Sequence, residues 1–316
     1  MNSVCEFSKV SKFYQGAAAL KDVSFQVKSG QVVALLGENG AGKTTTIRIL
    51  LGLQKPDYGQ ASVLGIESQK HGAEIRRRVG YVPDRPAIYD WMTVLEAGWF
   101  AAGFYPLGYF DRYQELIARF QLPKDRPVKA LSKGMQAKVS LALAMAHEPG
   151  LLILDEPTSG LDPMVRREFL ESMVDIAATG RTVFLSSHQI GEVERVADTI
   201  LVLRKGRLVL NERLETLKSR VQELHVTFRA VESDPPPLAG EARLITAQRY
   251  DRRWQLFVRD FMEDDLTALL ASPLVVDATL RHPSLEELFL ACMQSHEEAD
   301  WTMELPLEQK SQTSRR

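Results

Sequence analysis

The sequence predicts an α/β protein with a parallel sheet at its core, a helical insert, and a small α+β unit behind it. Three observations carry this. Continuous apolar runs, QVVALLG (Gln31–Gly37), GLLILDEP (Gly150–Pro157) and RTVFLSSH (Arg181–His188), read as strands covered on both faces, and helical segments separate them. Strand signals stop between Asp90 and Glu148, where helical periodicity takes over. After about Ser219 strand-like runs return around a Pro/Gly-rich loop.

In chain order, ALKDVSFQV (Ala19–Val27) alternates apolar and polar residues, as a half-buried strand does. QVVALLG follows, then a Gly-rich loop and a helix from about Lys43 to Leu51. A helix around Arg166 to Ala178 divides the last two buried strands. Farther on, ELHVTF (Glu223–Phe228) and RRWQLFVRD (Arg252–Asp260) read as strands flanking ESDPPPLAGEA (Glu232–Ala242). MEDDLTALLAS and SLEELFLACM read as helices, the second capped by Ser284 with Glu287 three residues on. The expected boundaries are a main domain over 1–219 with its insert at about 90–148, an accessory α+β domain over 220–294, and a polar mobile tail over 295–316. No internal repeat is visible.

With 316 residues, 45% of them hydrophobic, the chain can bury one large core and a smaller one. A formal net charge of −2 argues against general affinity for nucleic acid, so no nucleic-acid partner is expected. Cys5 and Cys292, near opposite ends, match no metal-ligand spacing and suit a reduced cytosolic chain. The opening MNSVCEFSKVSKFY lacks the basic start and apolar core of a signal peptide. No apolar run is long enough to cross a bilayer; WFAAGFYPLGYF (Trp99–Phe110) is too short and carries Gly103, Pro106 and Gly108. Any membrane role must pass through a partner.

The sharpest motif is Gly37-Glu38-Asn39-Gly40-Ala41-Gly42-Lys43-Thr44, a full G-x-x-x-x-G-K-[ST] between a strand and a helix. Its glycines let backbone N–H groups curl around phosphate oxygens. Lys43 is expected to reach the β- and γ-phosphates of a bound nucleotide, ATP, and the Thr44 hydroxyl to ligate Mg²⁺. Thr45 adds a hydroxyl near the α- and β-phosphates. The glycine spacing is not the dinucleotide G-x-G-x-x-G. Asp155 and Glu156 end a buried strand at the sheet edge where ligands sit, which suits Asp155 to the metal and Glu156 to polarising an attacking water. His188 ends the next buried strand and is expected at the same edge, near the γ-phosphate.

A second anion site is written in KALSKGMQAKVSLALAMA (Lys129–Ala146), where a Ser132-Lys133-Gly134 turn opens an Ala/Leu-rich helix. Two phosphate cradles in one chain need an explanation. The order of these elements over residues 4 to 215 resembles the nucleotide-binding subunit of ABC transporters. The resemblance implies a P-loop NTPase cassette: a parallel core, an antiparallel β subdomain and a helical insert. It matches Leu131–Met135 to the family's LSGGQ signature, with Lys133 and Met135 in place of Gly and Gln, and Ser159–Asp162 to its D-loop. His188 takes the switch-histidine place and Tyr14 that of the adenine-stacking aromatic.

In that family two subunits assemble head to tail, so Ser132 and Gly134 would serve the partner subunit's ATP. The implied partners are a second copy or a homologous ATPase subunit, and a transmembrane permease that gives the only membrane contact, from the cytoplasmic face. The family's Q-loop glutamine falls at Asp84, in VGYVPDRPAIY; an ionised aspartate only accepts hydrogen bonds, yet it can still act on Mg²⁺ or the attacking water. The aromatics Tyr89, Trp91, Trp99, Phe100, Phe104, Tyr105, Tyr109 and Phe110 fall where the family receives the permease's coupling helix, and divide between helix core and docking face. LSKGM resembles the signature of exporter-type subunits, and HPSLEELFLACM (His282–Met293) the C-terminal extension of drug- and polysaccharide-type exporters. Two alternatives stand beside the transport subunit: a soluble ATPase of the same type, and a nucleotide-gated regulator without turnover.

Overall fold

Apolar pentads set the core. Val32–Leu36 (β3) and Leu151–Asp155 (β7) are buried at every position, which only a strand covered on both faces can achieve. The computed structural model describes residues 3–86, 88–232, 234–238 and 240–294, so the expected tail at 295–316 lies outside the described residues. β3 and β7 join β6 (Val79–Val82), β8 (Thr182–Ser187), β9 (Thr199–Arg204) and β10 (Arg207–Arg213) in a six-stranded sheet of order β10-β9-β3-β8-β7-β6. All its pairs are parallel except β9–β10, which closes one edge as a hairpin.

The N-terminal strands form a second, antiparallel sheet. β1 (Ser3–Tyr14), β2 (Ala17–Lys28), β4 (Tyr58–Val63) and β5 (Ile66–Glu67) lie in the order β2-β1-β4-β5. The alternation expected of β2 is present: Leu20, Val23, Phe25 and Val27 point inward. Phe25 stacks on Phe7 at 4.7 Å and ties this sheet to Phe184 of the parallel one. Between the two sheets lie α1 (Lys43–Leu50) and α2 (Ser68–Arg78), with Ile47, Ile49, Leu50 and Ile75 buried.

The helical insert comprises α3 (Val94–Ala102), α4 (Tyr109–Arg119) and α5 (Lys133–Met145). A capping box between Thr93 and Glu96 starts α3. Tyr113 is fully buried and donates to the Val94 carbonyl at 2.7 Å, locking α4 onto α3. α6 (Pro163–Ala178) begins three residues before the expected start, because Asp162 caps it and Pro163 fits its first position.

α7 (Ile190–Val193) precedes β9, and α8 (Leu214–Arg220) leads into the C-terminal unit. Here β11 (Val221–Phe228), β12 (Arg243–Tyr250), β13 (Arg253–Arg259) and β14 (Val275–Arg281) form an antiparallel sheet of order β12-β13-β11-β14. α9 (Glu263–Leu270) packs beside β14, and α10 (Leu285–Gln294) ends the described chain. The Ser284–Glu287 pair is reciprocal as expected: Ser284 N donates to Glu287 at 2.8 Å and Glu287 N donates to Ser284 Oγ at 3.3 Å. β12 and β14 were not expected; both are edge strands whose outward residues break the apolar alternation. One core crosses the expected boundary at 219. Val221, Ile245 and Phe257, with Leu285, Leu288, Phe289, Ala291 and Cys292 of α10, share a cluster with Leu36, Leu154, Leu185 and Phe169.

Candidate active site

β3 delivers the Gly-rich loop to the carboxyl edge of the parallel sheet, between β8 and β9. The turn into α1 is made by Gly42 at φ 111°; a Cβ there would sit 2.7 Å from Ala19 O and from Leu20 Cδ2. Glycine is therefore required twice over, by conformation and by the approach of β2. Glu38, Asn39 and Gly40 face solvent, Gly37 and Ala41 are buried, and the Ala41 N–H donates to Glu38 O at 3.1 Å. Thr44 is exposed at the first turn of α1 and Thr45 half-buried beside it.

Lys43 does not extend into solvent. Its ammonium donates to Gly37 O at 2.6 Å and Glu38 O at 3.2 Å, and pairs with Glu156 Oε1 at 3.2 Å. The other carboxylate oxygen of Glu156 meets His188 Nδ1 at 2.7 Å. P-loop lysine, carboxylate and histidine thus form one chain across three strand ends. Glu156 holds φ at 48°, an unusual value for a non-glycine residue, and its N–H donates to Ser186 Oγ at 3.0 Å. A strained backbone of this kind stores about 1–3 kcal/mol and aims the side chain off the line of β7.

Asp155 is buried at the end of β7, accepting from Ser186 Oγ at 2.7 Å and from Thr44 Oγ1 at 3.4 Å. Burial pushes its carboxyl above the usual range; the negative charges of Glu156 and Asp84 add to this, against the two hydroxyls. Hard oxygen donors around a carboxylate that burial disfavours in its charged form suit a small divalent cation. The residues present fit Mg²⁺: Thr44 and Asp155 would hold it, and Asp84 would act from outside them. Asp84 is exposed two residues beyond β6, which pairs with β7 through Val82 and Leu154, so it emerges at the same edge.

Tyr14 ends β1 with 41% of its surface exposed, and the Lys12 ammonium lies 5.5 Å from its ring centroid. Lys12 in turn pairs with Asp57 at 2.9 Å, and Asp57 accepts from Phe13 N at 2.7 Å. The hairpin that follows leads into Ala19 and Leu20, the residues against Gly42.

The signature turn lies on a different surface. Ser132 caps α5 by accepting from Met135 N at 3.2 Å. Gly134 is buried under α6: a Cβ on it would meet Val165 Cγ1 at 2.5 Å. The Lys133 ammonium lies over Gly160 of the D-loop, 3.1 Å from where a Cβ would stand. Signature turn, D-loop and the start of α6 therefore form one packed surface. The aromatic segment divides into buried and exposed residues. Tyr105 and Tyr109 stack on each other at 4.6 Å and on His147 inside the insert. Tyr89 and Phe104, more than half exposed, line a cavity of about 200 Å³ with Met92, Phe100 and Leu143, and Trp91 and Trp99 are also more than half exposed.

Two features escaped the sequence reading. Ser186, fully buried, holds both Asp155 and the Glu156 N–H; its only signal was a pair of serines closing an apolar strand. Arg166 of α6 reaches the Leu161 carbonyl at 2.7 Å and the Gln189 side chain, joining the D-loop to the residue after His188.

A P-loop at the edge of a parallel sheet, with a carboxylate pair and a histidine converging on its lysine, defines a nucleoside-triphosphatase cassette. Residues 20–159 match the ABC transporter family. An uncharacterised ABC transporter ATP-binding protein of Nostoc is 32% identical over 292 residues, covering 90% of this chain and 85% of that protein. A solved ATP-binding subunit of an ABC transporter superposes with a TM-score of 0.63 at 35% identity, over 69% of this chain and 92% of its own. The ATP-binding cassette MJ0796, a dimer in a post-hydrolysis state with ADP and Pi, has a TM-score of 0.61 at 25% identity over 66% of this chain and 98% of its own. The chain belongs to the ABC transporter ATP-binding proteins. It is an ATPase subunit that powers a transporter.

Proposed function

We propose that two such subunits, identical or homologous, close head to tail around ATP and Mg²⁺ on the cytoplasmic face of a membrane and drive a transmembrane permease. The observation that carries this is the division of the phosphate-binding groups between two surfaces. Lys43, Glu156, His188, Asp155 and Thr44 converge at one sheet edge, while the polar contacts of Ser132 among the described residues stay within α5. A surface bearing a capped helix N-terminus, Gly134 and an ammonium suits a partner's γ-phosphate.

In this reading the loop from Gly37 to Thr45 wraps the phosphates, with Lys43 on the β- and γ-oxygens. Thr44 and Asp155 would hold Mg²⁺, which would supply neutralisation of the phosphate charge. Glu156 takes the proton of the attacking water as general base. His188, 2.7 Å from Glu156, orients that carboxylate and contacts the γ-phosphate. Tyr14 offers its exposed face to adenine. Asp84, at the Q-loop position, acts on the metal or on the water. The exposed aromatics of the insert, around their apolar cavity, support a docking place for a helix of the permease. Glu156→Gln tests the core of this: turnover is expected to fall by about 10³-fold while ATP and Mg²⁺ drive stable pairing seen by light scattering. A variant that hydrolyses at the parent rate removes Glu156 as base, and one that stays monomeric at saturating nucleotide removes the sandwich.

A further inference from the structure

One of the places where the C-terminal unit meets the cassette is the short helix that follows His188. α7 has only four residues, too few to be stable by itself. Its support comes from α10. Val193, Val196 and Ala197 share a buried cluster with Leu285, Leu288 and Phe289. Glu194, next after α7, is the polar centre of the junction. Its N–H donates to Ile190 O at 3.1 Å, closing the helix. One carboxylate oxygen pairs with Lys218 of α8 at 2.9 Å, and the other accepts the Leu285 N–H, the first of α10, at 3.3 Å. A second bond fixes the far end of α10, from Arg204 of β9 to the Cys292 carbonyl at 3.2 Å.

The other side of α10 is anchored in the C-terminal sheet. Arg281 of β14 reaches Glu287 at 2.6 Å and the fully buried Glu223 of β11 at 2.7 Å. A displacement of that sheet therefore carries α10 with it, and α10 carries Glu194. Between Glu194 and His188 lie only five residues, the intervening turn being tied to α6 through Gln189 and Arg166.

We propose that Glu194 is a positioning residue for His188, through which the C-terminal unit sets the rate of hydrolysis at the cassette. The inference rests on the assignment of Glu156 and His188 given above.

The test uses the full chain. Glu194→Ala removes both bonds, and Glu194→Gln keeps an acceptor for Leu285 N. The expected result is a kcat lower by about ten-fold or more in the first, less in the second, with KM for ATP and ATP-driven pairing in the Glu156→Gln background within about two-fold. Unchanged kcat in Glu194→Ala, or equal losses in kcat and affinity, would each overturn the proposal. His188→Ala, run alongside, separates the two readings: full turnover there refutes the role of His188 itself.

Discussion

Gly134→Ala isolates the contact on which the signature surface is built. The new Cβ would lie 2.5 Å from Val165 Cγ1 and 3.5 Å from Val165 Cβ. Carbon atoms rest at about 3.5–4.0 Å, so α5 and α6 must part by about 1 Å locally or Val165 must leave its rotamer. Overpacking of this size costs about 1–3 kcal/mol. Alanine's helix preference over glycine returns less than about 1 kcal/mol at the second residue of a helix. The net is a loss of about 1–2 kcal/mol, or a Tm lower by about 1.5–3 °C for a chain of this size. Thermal unfolding followed by circular dichroism measures it. Val165→Ala removes the obstructing methyl, so Gly134→Ala should cost almost nothing in that background, a coupling of about 1 kcal/mol or more. If Gly134→Ala melts with the parent, or its cost is the same with and without Val165, the packing argument is wrong and the glycine is there for phosphate alone.

Asp155→Asn should stabilise the protein at neutral pH while lowering Mg²⁺-dependent turnover by about 10²-fold or more. Burial holds the Asp155 carboxyl above its unfolded value, so the folded form binds the proton more tightly and stability falls as pH rises through that window. The amide removes this penalty, and a melt at pH 7 without nucleotide reads it. Glu287 has the opposite sign: hydrogen bonds from Arg281 hold it down at about 2. Its contribution is present above the ordinary carboxylate value of 4.5 and is lost as pH falls towards 2, so acid titration of Glu287→Gln should be flatter across that interval than the parent's. Trp99→Glu, at a side chain 68% exposed, should abolish co-purification with a membrane subunit and leave the soluble ATPase rate within about two-fold.

What the sequence disclosed was whatever a few adjacent residues determine. The P-loop was legible because glycine at 37, 40 and 42 followed by Lys43 and Thr44 answers one geometric need in consecutive positions. Asp155, Glu156 and His188 were legible because each lies at the end of a buried strand, and such strands end at the ligand edge of a parallel sheet. Contacts between distant residues were not. Lys43 and Glu156, or Ser186 and Asp155, meet only because β3, β8 and β7 lie side by side in the sheet. β12, with RLITAQRY and only Ile245 buried, carries too little apolar pattern to announce itself. The periodicity of α10 showed an apolar helix but not its partner, and the partner proved to be the cassette.

The geometry around Lys43 also bears on when Glu156 can act. Lys43 sits with a carboxylate on one side and loop carbonyls on the other, with only 6% of its side chain exposed. An ammonium 3.2 Å from Glu156 Oε1 occupies the oxygen that an attacking water would have to approach. A triphosphate carries several negative charges against the single charge of Glu156, so phosphate oxygens win Lys43 wherever both are within reach. Drawing the ammonium toward phosphate leaves Glu156 with His188 alone and frees Oε1 to take the water's proton. Nucleotide binding and base activation are then one event, because a single lysine cannot serve both anions equally. Lys43→Arg tests this independently of affinity. Its longer, planar head can hold carboxylate and phosphate together, so nucleotide binding should fall by less than about ten-fold while turnover falls far more. Parallel losses in the two would show that Lys43 acts on phosphate only.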